Sequence, residues 1–433
     1  VANPAPAVSI GLLGIGVIGS GVARALLEKS AAYAAQLGQP IRLARVAERD
    51  PKKGPSLGID SALLTKDASD VLRDPSIQIV IELFGGESPA YDYMKEALSA
   101  GKYVVTANKE VMAKHGSELL ALAQERGVDI LYEASVGGGI PIIAPLKRDL
   151  LANEITAISA IINGTTNYIL TRMSRDGSDF DESLAQAQRL GYAEADPTND
   201  VDGIDASYKI AILATLAFHA QIHPSDVYRE GITRLNSRDF RYARELGYDI
   251  KLLAMAKQED GAVQVRVHPV LLPEQEPLAK VDGVLNAVQV EGDLVGRVVF
   301  EGQGAGSLAT SSAVVADVLD AARAIAQGGK ERAFWRAPGA ASVKPMSELR
   351  TRYYIRMVVA DQPGVLGQIA KVLGDNQISI ASVIQKEADQ TAQTAEIVIM
   401  THLALEAAVQ KALQEVQGLA DVREIGNFLR VEA

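Results

Sequence analysis

Val8-Ser9-Ile10-Gly11-Leu12-Leu13-Gly14-Ile15-Gly16-Val17-Ile18-Gly19 runs from an apolar segment of strand length into glycines spaced GxGxxG, with helical spacing after them. A buried strand, a tight turn and a helix N-terminus in that order suit a dinucleotide. Gly14 permits the turn, Gly16 lets backbone approach a pyrophosphate, and Gly19 lets helix pack on strand. Val17 and Ile18 open the helix whose N–H groups face the phosphates.

Outward from this turn, Ile18 to Ala35 carries helical spacing through Val22, Ala23, Leu26 and Leu27. Ile41 to Ala47, Ile77 to Leu83, Tyr103 to Thr106 and Ile130 to Tyr132 read as further strands, with helices at Tyr91 to Ser99 and Glu110 to Arg126 between them. Alternating strands and helices predict a Rossmann-type parallel sheet over residues 1–135. After the second strand come Glu48-Arg49-Asp50. An acid there suits the free ribose hydroxyl of NAD and Arg49 suits the extra phosphate of NADP, so the choice stays open.

The 433 residues exceed one core, and 48% apolar against 22% charged residues marks a globular chain. A net charge of −11, with no clustered basic run, opposes nucleic acid as a partner. No cysteine is present, which excludes disulfides, thiolate zinc sites and a cysteine nucleophile. No apolar run approaches membrane-span length, and Val1 to Val8 reads as a short disordered leader without signal-peptide features. A cytoplasmic enzyme is expected.

From Val136 the texture changes. Strand-like Ile155 to Ile162, helices from about Thr166 and Asp181, an apolar helix Asp205 to Phe218, and strands at Val263 to Leu271, Val284 to Val290 and Val295 to Phe300 predict an α+β domain over 136–302. A helix at Thr310 to Ala326 lies in a return segment of about 303–330 assigned to the first domain. A linker, 331–349, follows, with Trp335 as an anchor. Residues 350–433 read βαββαβ, a small domain of its own.

Gly191-Tyr192-Ala193-Glu194-Ala195-Asp196-Pro197-Thr198-Asn199-Asp200-Val201-Asp202-Gly203-Ile204-Asp205 gathers carboxylates ahead of the apolar helix, where they suit an ammonium-bearing substrate. A calcium loop aligned on Gly203 puts Thr198 and Lys209 where carboxylates belong, so that reading fails. Asp205 and Lys209, four residues apart, form either a surface ion pair or a proton donor fixed by its partner; the buried-looking run Ile210 to Phe218 lifts the second reading, and the residues alone leave the choice open. His219 and His223 have ligand spacing but no third ligand, and are read as a helix-end pair.

The run from Ala187 through Gly191, Asp196-Pro197, Asp200, Gly203, Asp205 and Lys209 resembles the homoserine dehydrogenase signature. So do Thr106-Ala107-Asn108-Lys109, Glu133-Ala134-Ser135-Val136-Gly137-Gly138-Gly139-Ile140-Pro141, Asn163-Gly164-Thr165-Thr166-Asn167 and Gly302-Gln303-Gly304-Ala305-Gly306. The resemblance implies reversible hydride transfer between NAD or NADP and L-aspartate 4-semialdehyde, giving L-homoserine. Lys209 would exchange the proton, oriented by Asp205; Glu194, Asp200, Asp205 and Lys109 would bind substrate, with Lys109 a second candidate for the proton. Thr106, Lys109, Gly191 and Gly304 would line the cofactor. Glu133 and the carbonyls of Val136, Gly138 and Ile140 would hold a structural sodium ion.

Asp361-Gln362-Pro363-Gly364-Val365-Leu366-Gly367, followed by Asn376-Gln377-Ile378-Ser379-Ile380, is similar to the ACT family of amino-acid-sensing domains. That implies an effector, L-threonine by analogy, near Asp361, Gly364, Val365 and Leu366; a dimerising module without ligand is the alternative. A homodimer or homotetramer is expected, as is a monofunctional enzyme, since no kinase-like region precedes the first strand. An aspartate or diaminopimelate dehydrogenase would share the first domain but not the Asp196-to-Lys209 block, and a sensor without turnover would not need both lysines.

Overall fold

The computed structural model describes residues 6–329, 338–340, 342–389 and 391–432. Trp335, most of the expected linker core and the start of the leader lie outside them. The chain divides into two compact units: residues 1–158, 208–226 and 286–341, and residues 159–207, 227–285 and 342–433.

The first unit carries a parallel sheet of β1 (Val8–Leu13), β2 (Ile41–Ala47), β3 (Leu64–Thr65), β4 (Ile79–Glu82), β5 (Tyr103–Thr106) and β6 (Ile130–Leu131), in spatial order β3-β2-β1-β4-β5-β6. The order reverses beside β1, so the crevice at the strands' carboxyl ends opens where β1 meets β4. All six β1 residues are buried, as the unbroken apolar run predicts. The first helix is two: α1 (Val17–Glu28) stops at Lys29, whose backbone leaves the helical range, and a second helix runs over Ser30–Leu37. The return helix, Ser307–Ala326, shares one core with β1, β2, β4 and α1 through Val314, Val315, Val318 and Ala322. The expected assignment of that segment to the nucleotide-binding fold rests on this shared core.

In the second unit the strands Tyr248–Glu259 and Ala262–Pro273 form a long antiparallel hairpin. The first of these is absent from the sequence reading: Lys251-Leu252-Leu253-Ala254-Met255-Ala256-Lys257 is built of helix formers, and it becomes a strand through pairing across twelve residues and burial of Ile250 to Ala256. The helix Ser237–Glu245 was also unread; its Asn236 forms a capping box with Asp239.

Residues 350–432 form the expected βαββαβ, with strands Arg350–Ala360, Ile380–Asp389, Thr394–Thr401 and Val422–Val431 and helices Val365–Asp375 and Glu406–Gln417. They have a core of their own around Ile355, Ile369, Ile397 and Val409. Yet the sheet does not end there. Val422–Val431 pairs with Ala262–Pro273 at Val270–Arg430 and Leu271–Val431, so the small domain's sheet continues that of its neighbour.

Candidate active site

The glycine-rich turn has the geometry its spacing calls for. Gly14 has φ +93°, a conformation open to glycine. A Cβ on Gly16, the N-cap of α1, would meet nothing within 4 Å, leaving backbone open to a ligand. A Cβ on Gly19 would lie 2.0 Å from the Gly14 carbonyl oxygen, so only glycine lets α1 sit this close to the turn. Val17 is 76% exposed and Ile18 half-buried at the mouth of this turn.

Glu48, at the end of β2, accepts the N–H of Ile15 at 2.9 Å and that of Asp50 at 3.2 Å. Burial opposes its ionisation, but those hydrogen bonds and the charge of Lys53 together lower its carboxyl below the usual value. Glu48 thus braces the turn, while Arg49 stays exposed beside it.

At the ends of β4 and β5, Thr106 is out of solvent, and its hydroxyl donates to Glu82 at 2.7 Å and accepts the Asn108 N–H at 2.9 Å. Only its backbone remains for a cofactor. Asn108 caps the helix α2 (Lys109–Arg126), whose first residue is the half-buried Lys109.

In the second unit, Asn163 brings two of the predicted carboxylates together. Its amide nitrogen donates to Asp200 at 2.7 Å and to Asp205 at 3.0 Å, while its oxygen caps the helix Gly164–Asp176 through the Thr166 N–H. A neutral donor between two carboxylates holds them side by side without cancelling either charge. Asp205 is 5% exposed and stands four residues before Lys209 on the helix α3 (Ile204–Phe218), whose Ile210, Ala211, Leu213 and Ala214 are fully buried. Lys209 itself is half-buried. Glu194 is exposed in the loop before it, and Gly191, at φ +76°, closes the helix Phe180–Arg189. The backbone alone accounts for that glycine.

Gly304 and Gly138 meet closely: a Cβ on Gly138 would lie 2.4 Å from the Gly304 carbonyl oxygen, and one on Gly304 would overlap the Asn286 side chain. Glu133 is buried, and its carboxylate accepts three backbone N–H groups, from Ile142, Ile143 and Ala144 at 2.6–2.8 Å. Its side chain is thus committed to capping the helix Ile143–Lys147. Its own carbonyl accepts the Val136 N–H at 3.4 Å. The carbonyls of the buried Val136 and Ile140, and of Gly138, accept no hydrogen bond among the described residues, which fits a hard cation held by main-chain oxygens.

Near the small domain's first turn, Gly364 has φ +94° and precedes an 11-residue helix with no side-chain cap, as the sequence reading needs. Val365 is buried in the domain core, so it offers a ligand only its N–H; Asp361 and Leu366 are exposed. His219 and His223 belong to no group of metal-binding side chains among the described residues.

Sequence reasoning missed Glu82 as a site residue and quoted Asn163 only within a motif. An acid closing the apolar run Ile77 to Leu83 was the available signal for the first.

Models for the homoserine dehydrogenase NAD-binding domain, for homoserine dehydrogenase and for the ACT domain match residues 14–133, 141–319 and 353–421. A homoserine dehydrogenase of Neisseria gonorrhoeae is 43% identical over 98% of this chain and 99% of its own, and one of Synechocystis sp. is also 43% identical, over 98% and 99%. The crystal structure of a homoserine dehydrogenase from Thiobacillus denitrificans superposes with a TM-score of 0.92 at 42% identity, covering 99% of this chain and 98% of that one. A hyperthermophilic archaeal homoserine dehydrogenase in complex with NADPH superposes with a TM-score of 0.63 at 29% identity, covering 73% and 98%. The chain belongs to the homoserine dehydrogenase family of NAD(P)-dependent oxidoreductases acting on a CH–OH group.

Proposed function

We propose that the enzyme interconverts L-homoserine and L-aspartate 4-semialdehyde. A nicotinamide nucleotide held at the glycine-rich turn would supply the acceptor for the C4 hydride of homoserine in oxidation and the hydride donor to the aldehyde in reduction. Lys209 takes the hydroxyl proton during oxidation and, as an ammonium, delivers it to the oxygen during reduction, with Asp205 fixing its position. Glu194, Asp200 and Asp205 receive the substrate ammonium, and Lys109 steadies the substrate and the nucleotide. Gly14, Gly16, Gly19, Val17 and Ile18 hold the pyrophosphate; the Thr106 backbone, Gly191 and Gly304 complete the nucleotide contacts, and the exposed Arg49 favours NADP. The carbonyls of Glu133, Val136, Gly138 and Ile140 form the sodium site, and Asp361, Gly364, Val365 and Leu366 receive L-threonine as a feedback effector in a homo-oligomer.

The observation that carries this reading is the Asn163 amide holding Asp200 and Asp205 together one helical turn before Lys209. The test is homoserine oxidation with NAD and with NADP by the parent and by Lys209→Ala. Turnover by the parent, lost in a folded variant that still binds nucleotide, supports the assignment. Absence of turnover with either nucleotide sinks it.

A further inference from the structure

Glu82 is fully buried at the carboxyl end of β4 and faces no cation among the described residues, yet its two oxygens are both engaged: one accepts the Phe84 N–H at 2.6 Å, the other the Thr106 hydroxyl at 2.7 Å. From there a closed ring of hydrogen bonds runs through the start of α2. Thr106 accepts from the Asn108 N–H, and the Asn108 amide returns to the carbonyls of Phe84 at 3.3 Å and Gly86 at 2.8 Å while its oxygen caps α2 at Val111. Phe84 also abuts the glycine-rich turn, its ring 3.3 Å from where a Gly14 Cβ would stand.

We propose that Glu82 is a positioning residue for hydride transfer, its buried carboxylate fixing the first residue of α2, Lys109, and the Phe84 segment against the nucleotide turn. The inference rests on the homoserine dehydrogenase reading above. The physical reason is the acceptor count. Both facing groups are donors, and a carboxylate presents two acceptors with no hydrogen of its own. A glutamine turns its NH2 toward either the Phe84 N–H, which has no alternative, or the Thr106 hydroxyl, which must then reverse. Protonation of Glu82 has the same consequence, and burial, opposed by the two hydrogen bonds, lifts its carboxyl to about 7. The other titratable groups on the segments packed against β4 and β5 are Glu48 below the turn, Glu87 after β4, Tyr103 at the far end of β5, Lys109 and Glu110 opening α2, Tyr91, Asp92, Tyr93, Lys95 and Glu96 on the helix Ala90–Ser99, and Asp317, Asp320 and Arg323 on the return helix; β1 has none.

The test measures kcat, KM for homoserine and nucleotide Kd across pH 6–9 for the parent, Glu82→Gln, Thr106→Val and Thr106→Ser. Misplacing a reacting group by an ångström costs about 10-fold to 100-fold in rate, so Glu82→Gln is expected to lose that much kcat with nucleotide Kd changed by less than about 3-fold. It should also lose the step near pH 7 in the parent's decline in kcat on acidification, keeping any step set by the proton acceptor itself. Thr106→Val should reproduce the loss, and Thr106→Ser, which keeps the hydroxyl, should restore it. A parental kcat or an unchanged acid limb in Glu82→Gln overturns the proposal, as does a fall in kcat matched by lost nucleotide binding and lowered Tm, the mark of a merely structural role. An inactive parent instead overturns the functional reading on which it rests.

Discussion

The Arg356 guanidinium donates to Asp239 at 2.7 Å with both side chains out of solvent, joining the first strand of the small C-terminal domain to the helix Ser237–Glu245. Around the pair, Glu396 accepts a second Arg356 nitrogen at 3.0 Å, and Tyr354 and Asn427 donate to Asp239. The regulatory-type domain is thus bonded to its neighbour by a buried charge network as well as by the shared sheet.

Removing Asp239 leaves the buried Arg356 with Glu396 as its remaining carboxylate, and removing both leaves its charge without one. Asp239→Asn should therefore cost about 1–3 kcal/mol in denaturant unfolding, and Asp239→Asn combined with Glu396→Gln, which leaves the Arg356 guanidinium without a carboxylate, should cost more than the sum of the two single losses. A double-variant loss no greater than that sum would show that the network stabilises by something other than charge pairing.

Asn163→Ser keeps a helix-capping oxygen but removes the amide that separates Asp200 from Asp205. The two carboxylates then repel across the proposed ammonium site, and KM for homoserine should rise about 10-fold, worth about 1.4 kcal/mol, with little change in Tm. An unaltered KM would remove Asn163 from substrate binding.

The glycines of the turn should separate by variant. Gly19→Ala drives a Cβ to 2.0 Å from the Gly14 carbonyl and should cost about 1–3 kcal/mol of stability together with nucleotide binding. Gly16→Ala meets open space, so Tm should hold while nucleotide affinity falls. Calorimetry and nucleotide titration of both variants check this, and an unaffected affinity in Gly16→Ala would argue against a pyrophosphate at that backbone.

His268 is fully buried, with Nδ1 donating to the Pro269 carbonyl at 3.0 Å and Nε2 unpartnered among the described residues. Burial, and then the charges of Arg430 and Arg266, hold it neutral well below its usual range. The unfolded chain therefore binds the extra proton first: this contribution to stability is present above about pH 6.5 and is lost as pH falls further. Unfolding free energies of the parent should drop more between pH 7.5 and 5.5 than those of His268→Gln; parallel pH curves would contradict the burial argument.

Much of this was written locally. Val8–Leu13, Ile41–Ala47 and Tyr103–Thr106 are strands over the residues that their apolar runs mark, and Gly14, Gly16 and Gly19 each do what their spacing requires, because both signals depend on side-chain period and backbone freedom within a few residues. Asp205 and Lys209 were likewise readable as neighbours, since one helical turn fixes their separation.

What lay beyond reach depended on partners distant in the chain. Tyr248–Glu259 is a strand because Ala262–Pro273 pairs with it, against the preference of its own residues. Glu133 looked like a metal-binding side chain, and the fold gives its carboxylate to the N–H groups of Ile142 to Ala144. Glu82, an acid at the end of an apolar strand, acquires its partners only when β5 lies beside β4 and sets Thr106 opposite it. By itself the sequence determined the strands and helices of the nucleotide-binding fold and of the small C-terminal domain, the nucleotide turn and the family. The tertiary structure alone decided which buried polar groups meet, because a hydrogen bond between residues 24 or 42 positions apart, as from Thr106 to Glu82 or Asn163 to Asp205, exists only once packing has removed water from both ends.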